Sequence, residues 1–508
     1  MPTSRPIAKG LPIDHPVDDV GIAGPRPNIL VICVDQMRGD WMGCAGHPLV
    51  QTPHLDVLAR RGVRFARAMS ECPVCVPARR ILMTGKDPWA IKMFANRDVQ
   101  PFPEGPKLAA LLSAAGWQCH AVGKLHVWPP RDRIGFNDVE LNEEGRTAGL
   151  PNLDDYQIFL RDQGLLGRAP SHGLGNNQYG WRLSPLPEPA TTTGWTAERA
   201  MRFIDRRDPS RPFFLYVSFD KPHPPFTPPA EYWEIYRDAP MPPPVVGDWL
   251  QRKPPAALAA TQANTGYAKW NDRDRQIADS KRAYAALIHH IDARIGMLLG
   301  TLRERRLLSN TIVLFTADHG DALFDHHHQA KGNYLQGSCG IPLILCPAPN
   351  DQRNDPSVLG TTVTNTSPGL ADVMPTLLEC ADLSAPADLA GSSLVPFLRD
   401  SRPAFRPATV GRCGAIYGVA TGRYRYSWYG DTGAELLFDL DEDPGECHDL
   451  ADEPALAATL AEMREHLART LRARGDDRWI DGQVRTIPVD HQLDRQHLIN
   501  HWNLRGWR

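Results

Sequence analysis

Three stretches of this sequence are apolar without alternation, and each ends on polar groups. They are Asn28-Ile-Leu-Val-Ile-Cys-Val-Asp35, Pro212-Phe-Phe-Leu-Tyr-Val-Ser-Phe219 leading into Lys221-Pro-His223, and Thr311-Ile-Val-Leu-Phe-Thr-Ala-Asp318-His319. A strand with one wet face alternates apolar and polar side chains. These do not, so both of their faces must be covered. Trp117–Gly123 reads as a further strand, delivering Lys124 and His126 at its end, and Ile341–Cys346 as another. Helices fall between them: Thr52–Gly62, with a Thr cap, Pro at the first position and a Gly stop, then Lys107–Gly116, Thr193–Arg207, residues 275–305 and Pro368–Cys380. This alternation predicts an α/β fold with a doubly wound, mostly parallel sheet.

After about residue 400 the pattern changes. Short segments at 408–412, 417–421, 424–429 and 435–439, separated by Gly and Asp, predict a small antiparallel sheet, with a helix at 453–474 packed on it. The expected division is a catalytic α/β domain over 1–400, a C-terminal α+β subdomain over 401–475 and a tail over 476–508. The tail carries Trp479, Trp502 and Trp507 without a core of its own, so it reads as an arm that docks on something, such as a second subunit. Residues 130–190 and 225–270 show little periodicity and read as irregular insertions that build a substrate pocket. Trp233, Trp249 and Trp270 in the second of these would either stack on a substrate or pack in the core.

With Lys+Arg 56 against Asp+Glu 59 the net charge is −3, so nothing asks for nucleic acid or an anionic membrane. No run approaches the roughly 20 apolar residues of a membrane span, and residues 1–27 lack the apolar core of a signal peptide. Ten scattered cysteines suit reduced, buried thiols better than a disulfide framework. The expectation is a cytoplasmic protein with no nucleic-acid or membrane partner.

Asp35-Gln36, Lys124/His126, His223 and Asp318-His319 would gather on one edge of the sheet, where open α/β sheets place ligands. Two carboxylates, an amide and an imidazole suit a hard divalent cation, and no Cys₄ or His₃ set suggests structural zinc. Between them lies Cys72-Pro-Val-Cys75-Val-Pro77-Ala-Arg79, running on to Thr84-Gly85. Pro77 suits the start of a helix, which puts Cys75 just before a helix N-terminus, where an anion is favoured, with Arg79 one turn away.

Cys75-Val-Pro77-Ala-Arg79 with Thr84-Gly85 resembles the signature of the formylglycine-dependent sulfatases of the alkaline phosphatase superfamily. Asp35, Gly123-Lys124-Leu-His126, His223-Pro-Pro-Phe, Thr316-Ala-Asp318-His319-Gly320, Lys331-Gly-Asn-Tyr and Ile341-Pro-Leu-Ile follow in that family's order. So does the hairpin-like Glu435–Leu450, and the resemblance spans roughly residues 27–455. It implies an alkaline-phosphatase-like fold and hydrolysis of a small aryl or alkyl sulfate ester. Cys75 would be oxidised by a formylglycine-generating or other sulfatase-maturing enzyme to formylglycine, whose hydrate attacks sulfur. By the same resemblance Asp35, Gln36, Asp318 and His319 hold one divalent metal, Ca²⁺ or alternatively Mn²⁺ or Mg²⁺. Arg79 and Lys124 stabilise the diol and sulfate charge, and His126 is the base. His223 and Lys331 contact the sulfate and protonate the departing oxygen, Asn96 offers the substrate a hydrogen bond, and the family's habits imply a homo-oligomer.

Two positions depart from the commonest sulfatase pattern. Gln36 stands where many members have a second Asp, and His319 where they have Asn. This pairing also resembles the phosphonate monoester hydrolase and phosphodiesterase relatives, whereas Gly123-Lys124-Leu-His126 resembles sulfatases proper. A binding module that has lost its nucleophile is disfavoured because Cys75 and its partners are all present. Cys72-Pro-Val-Cys75 lacks the context of a redox motif, Gly123-Lys124 lacks the spacing of a phosphate loop, and His326-His-His328 reads as solvated or supporting.

Overall fold

The computed structural model describes residues 26–97, 99–144, 153–251, 255, 257–259 and 272–488. Its strands are β1 (Asn28–Asp35), β2 (Val63–Phe65), β3 (Gln118–Gly123), β4 (Asp138–Leu141), β5 (Phe213–Pro222), β6 (Thr311–Ala317), β7 (Leu343–Cys346) and β8 (Thr362–Val363). Among the described residues they form one sheet in the order β4-β3-β5-β1-β6-β7-β2-β8. The strands β3, β5, β1 and β6 are parallel neighbours at its centre, and β7 runs against both β6 and β2. Ile29 to Val34 are wholly buried, as their unbroken apolar run requires.

Helices cover both faces. On one lie α1 (Pro53–Arg61), α5 (Thr192–Arg206), α6 (Ala230–Tyr236) and α7 (Arg273–Glu304). On the other lie α2 (Cys75–Thr84), α3 (Leu108–Ala114) and α8 (Val373–Cys380). The sheet is therefore doubly wound, as the alternation predicts. No helix of the described residues is long and apolar enough to cross a membrane.

The segment 130–190 is more regular than its sequence suggests. It supplies β4 at the sheet edge and α4 (Asp155–Asp162), which opens with a reciprocal Asp154/Gln157 cap. Its strand is only Asp-Val-Glu-Leu, half exposed at the edge, and so lacks the apolar run that marks the central strands. The strands β2 and β8 are shorter still. In the second insertion Trp233 stacks on Trp181 with ring centroids 3.8 Å apart, and Trp249 is buried with Nε1 donating to the Glu446 carbonyl at 2.8 Å. Both pack in the core; Trp270 lies outside the described residues.

The smaller sheet comprises β9 (Thr409–Cys413), β10 (Ile416–Ala420), β11 (Tyr424–Tyr429) and β12 (Glu435–Asp439), antiparallel in the order β12-β11-β10-β9. Helix α9 (Ala457–Arg474) lays Leu460, Met463, Leu467 and Leu471 against Tyr417, Val419, Tyr426 and Trp428. The described start of the tail docks on this same unit: Trp479 and Val484 pack on that cluster, and Asp476 accepts from Arg412 Nη1 at 2.7 Å and Tyr417 Oη at 3.1 Å. Trp502 and Trp507, on which an intersubunit arm would rest, lie outside the described residues.

A cross-strand pair of glycines joins the two sheets. Gly411 faces Gly418, and a Cβ at Gly418 would stand 2.2 Å from the Tyr334 ring. Tyr334 lies in this bed and donates to the Glu71 carbonyl at 2.8 Å, which fixes the loop that carries Lys331. Gly418→Ala therefore overpacks the junction and lowers unfolding stability by about 1–3 kcal/mol. Urea unfolding monitored by tryptophan fluorescence reads this directly, and an unchanged midpoint would refute the packing argument.

Candidate functional site

The four central strands bring their terminal polar groups to one place. Asp35 ends β1, Lys124 and His126 follow β3, His223 follows β5, and Asp318 and His319 follow β6. Carboxylate, thiol and imidazole atoms of Asp35, Cys75, Asp318 and His319 all lie within 4.8 Å of one another, and all four residues are buried.

Arg79 underlies this cluster. It is 1% exposed and its Nη2 sits 3.0 Å from both Asp35 Oδ2 and Asp318 Oδ2, while Nη1 donates to the Lys124 carbonyl and to Ser218 Oγ, each at 2.7 Å. Helix α2 begins at Cys75 itself, with Val74 as its extended cap, so the cysteine belongs to the first turn rather than preceding it. His319 Nδ1 lies 2.9 Å from the Gly320 carbonyl, and Nε2 lies 3.2 Å from Cys75 Sγ. Donation from Nδ1 leaves the Nε2 lone pair facing the cluster, the tautomer that a metal-ligating histidine uses.

Charge in the site is dense and balanced. Burial alone would raise the Cys75 thiol, but Lys331, His319, Lys124 and His126 hold it well below its ordinary range. Burial likewise opposes the ionised Asp35 carboxylate, which Lys124, His223 and Arg79 nevertheless keep well below the usual carboxylate range. Desolvation works against the Lys124 ammonium, and its ion pairs with Asp35 and Glu144 more than reverse it. His223 is pushed down chiefly by burial and next by Lys331.

Gln36 adopts a left-handed backbone, φ 63, immediately after β1. Its Nε2 donates to Tyr179 Oη and Asp321 Oδ2, both at 2.7 Å, and its Oε1 accepts from Lys331 Nζ. The amide is thereby oriented with its oxygen on the Lys331 side. Asn96 is exposed and its Oδ1 accepts from the Val76 amide at 3.0 Å, which satisfies a free N–H in the first turn of α2 beside Cys75.

Two carboxylates that contact the predicted site residues escaped the sequence reading. Glu143 accepts from the amides of Leu125 and His126 at 2.9 Å, and its Oε2 lies 3.3 Å from His126 Nδ1. Glu144 reaches Lys124 Nζ at 2.7 Å and His223 Nδ1 at 3.5 Å. Both follow β4, the edge strand that sequence periodicity does not reveal. Tyr179 and Asp321 were likewise missed, although Asp321 follows directly on Asp318-His319-Gly320. His326-His-His328 stands apart from this cluster. His326 and His328 are buried rather than solvated, and His326 Nδ1 accepts from the Gly247 amide at 3.1 Å.

Asp35 Oδ1 is buried without a hydrogen-bond partner and faces His319 Nε2 at 3.9 Å, as an oxygen reserved for a cation would be. Hard carboxylate oxygens, one amide oxygen and one imidazole fit a divalent metal.

The comparisons agree with this geometry. A family model described as Sulfatase matches residues 27–383, and one described as N-sulphoglucosamine sulphohydrolase, C-terminal, matches residues 331–473. An arylsulfatase of Clostridium perfringens is 31% identical over 90% of this chain and 96% of its own. A choline-sulfatase of Rhizobium meliloti is 27% identical over 94% of this chain and 97% of its own. Among solved structures, the phosphonate monoester hydrolase of Agrobacterium radiobacter superposes with a TM-score of 0.71 at 24% identity, covering 88% of this chain and 96% of that one.

Returning Ca²⁺ or Mn²⁺ to chelator-stripped protein raises its thermal midpoint, since about a hundredfold excess over Kd adds about 2.7 kcal/mol. Asp318→Asn removes the increment. Scanning calorimetry checks both, and an identical wild-type midpoint with and without metal would dismiss the site.

Proposed function

Because the chain belongs to the sulfatase family, we propose that it hydrolyses a small aryl or alkyl sulfate monoester, using residue 75 as the precursor of the nucleophile. The observation that carries this reading is the position of Cys75 at the first turn of α2, within 3.2 Å of His319 and beside Asp35 and Asp318. Formylglycine, made from Cys75 by a sulfatase-maturing enzyme, supplies as its hydrate one hydroxyl to attack sulfur and a second whose deprotonation restores the aldehyde and releases sulfate. The divalent metal that Asp35, Gln36, Asp318 and His319 would hold, Ca²⁺ in the first instance and Mn²⁺ or Mg²⁺ otherwise, supplies Lewis-acid polarisation.

The chain's own groups divide the remaining tasks. Arg79 holds Asp35 and Asp318 in register and, with Lys124, opposes the negative charge of the ester. His126 takes the proton of the second hydroxyl: Glu143 occupies its Nδ1 side, and its Nε2 is buried without a hydrogen-bond partner. His223 Nδ1 is 2.7 Å from the Pro224 carbonyl, and its Nε2 is buried without a partner. That edge is free for the departing oxygen, to which Lys331 delivers a proton. Asn96, with its Oδ1 occupied by Val76, has its Nδ2 to offer the substrate.

The Gln36/His319 pair favours a second reading, hydrolysis of a phosphonate monoester or phosphodiester. One experiment separates the two. Metal-loaded protein is assayed on 4-nitrophenyl sulfate, 4-nitrophenyl phenylphosphonate and bis(4-nitrophenyl) phosphate, with mass spectrometry of the peptide carrying residue 75. Sulfate turnover should lead, formylglycine should be found, and Cys75→Ala should abolish the rate. A clear preference for phosphorus reverses the assignment, and an unmodified thiol in active protein removes formylglycine from it. Separately, Glu143→Gln should cost about 10–100-fold in kcat, the range typical of groups that orient a reacting histidine, with the far-UV spectrum unchanged. Undiminished kcat would show that His126 needs no such partner.

A further inference from the structure

A cavity of about 630 Å³ opens beside the proposed reaction site, within the size range of small-molecule pockets. It lies between β4, α4, the end of β5 and α7, and the two sites share Glu144: the carboxylate that lines the cavity also meets Lys124 Nζ at 2.7 Å and His223 Nδ1 at 3.5 Å. One side chain therefore separates this space from the groups assigned to the departing oxygen.

The charge of the wall is one-sided. Among the described residues, carboxylates come from Glu144, Asp154 and Asp220, against the single cation of Lys221. His172 and His290 also line it, but burial lowers both, His290 to about 3, so neither adds positive charge at neutral pH. Asp154 is already satisfied, accepting from the Gln157 amide at 2.7 Å and the Glu143 amide at 2.9 Å. Lys221 turns its ammonium to the carbonyls of His223, at 3.0 Å, and Pro225, at 3.4 Å.

Asp220 is different. It is 3% exposed, its Oδ1 has no hydrogen-bond partner, and its nearest cation, Lys221, stands 3.7 Å from Oδ2. Leaving a buried carboxylate oxygen without a donor is costly, and rotation about a soft terminal torsion presents either oxygen to the cavity. Asn142 Nδ2, which also lines the cavity, is likewise without a partner. Tyr156 and Leu287 supply an apolar flank.

We propose that this cavity receives the alcohol part of the sulfate ester and selects an alcohol bearing a protonated amine, which Asp220 holds. The proposal rests on the reading of the chain as a sulfate ester hydrolase and names its substrate class. The ammonium would supply the donor that Asp220 lacks, while the hydrocarbon between amine and ester lies on Tyr156 and Leu287.

The test uses a matched pair, 4-(2-aminoethyl)phenyl sulfate and its uncharged isostere 4-propylphenyl sulfate, with metal-loaded, mature enzyme. The charged ester should have a kcat/KM about tenfold higher, the equivalent of about 1.4 kcal/mol for a partly desolvated ion pair. In Asp220→Asn the ratio should fall towards one. Calorimetry on wild-type protein with the two phenols alone, 4-(2-aminoethyl)phenol and 4-propylphenol, reads the same preference without turnover and without the variant. Equal kcat/KM values together with equal phenol affinities overturn the cavity proposal and leave the hydrolase reading intact. A preference for the charged phenol with neither ester hydrolysed sustains the cavity and overturns the hydrolase reading.

Discussion

Everything at the reaction site depends on the guanidinium of Arg79. Three parallel strands carry Asp35, Lys124 and Asp318 to one edge of the sheet, and two carboxylates held this close in a dry interior would repel each other and take up protons. Arg79 Nη2 lies 3.0 Å from both, and its Nη1 donates to the Lys124 carbonyl and to Ser218 on the strands alongside. A planar, permanently charged fork suits this task as lysine would not. It also ties α2, and with it Cys75, to β1, β3, β5 and β6 at once. A buried ion pair contributes little net stability. What it supplies here is registration, so that the residue-75 side chain and the two carboxylates share one small volume.

A second layer tunes the first. Glu143 and Glu144 arrive from the edge strand β4: Glu143 stands against Nδ1 of His126, and Glu144 pairs with the ammonium of Lys124 and lies 3.5 Å from Nδ1 of His223. Asp321 and Tyr179 do the same for Gln36, fixing which end of its amide points inward. Side chains assigned above to the substrate are thus held by partners that are not, and the proposed chemistry depends on both.

This division explains what the sequence made legible. The central strands announce themselves because burial on two faces demands an unbroken apolar run, and a polar residue at the end of such a run has few other places to go. Hence Asp35, Asp318 and His319 were readable, and the ordered motifs around Cys75 and Lys124 completed the set. Glu143 and Glu144 were not, because β4 is a four-residue edge strand whose pattern looks like loop. Tyr179 was hidden in a Gly- and Asn-rich stretch with no period at all. Asn96 has a role the sequence did not show: its oxygen satisfies a helix amide beside Cys75, which leaves its Nδ2 for the substrate contact proposed above. The tryptophans of the second insertion drew attention for their size, yet Trp233 and Trp249 serve packing. Composition could not distinguish a ring that faces a ligand from one that faces the core.

The charge balance bears on what the site would accept. Asp35, Asp318, Glu143, Glu144 and Asp321 stand against Arg79, Lys124 and Lys331, so a divalent cation offsets the excess of carboxylates. A near-neutral site of this kind suits a singly charged ester. Sulfate monoesters, phosphonate monoesters and phosphodiesters are all monoanions at neutral pH, so charge admits all three, which is why one architecture serves relatives with different chemistry. Shape distinguishes them. A sulfate group presents three terminal oxygens, each able to accept a hydrogen bond, whereas a phosphonate or diester replaces one of these with a carbon or a second alkoxy group. Asp35, Asp318 and His319 share the small volume around residue 75, and Lys331, Lys124 and His126 act on its charge. The proposed sulfate ester would offer an oxygen to each of the donors among these groups, which is the ground for placing it before its phosphorus counterparts despite Gln36 and His319.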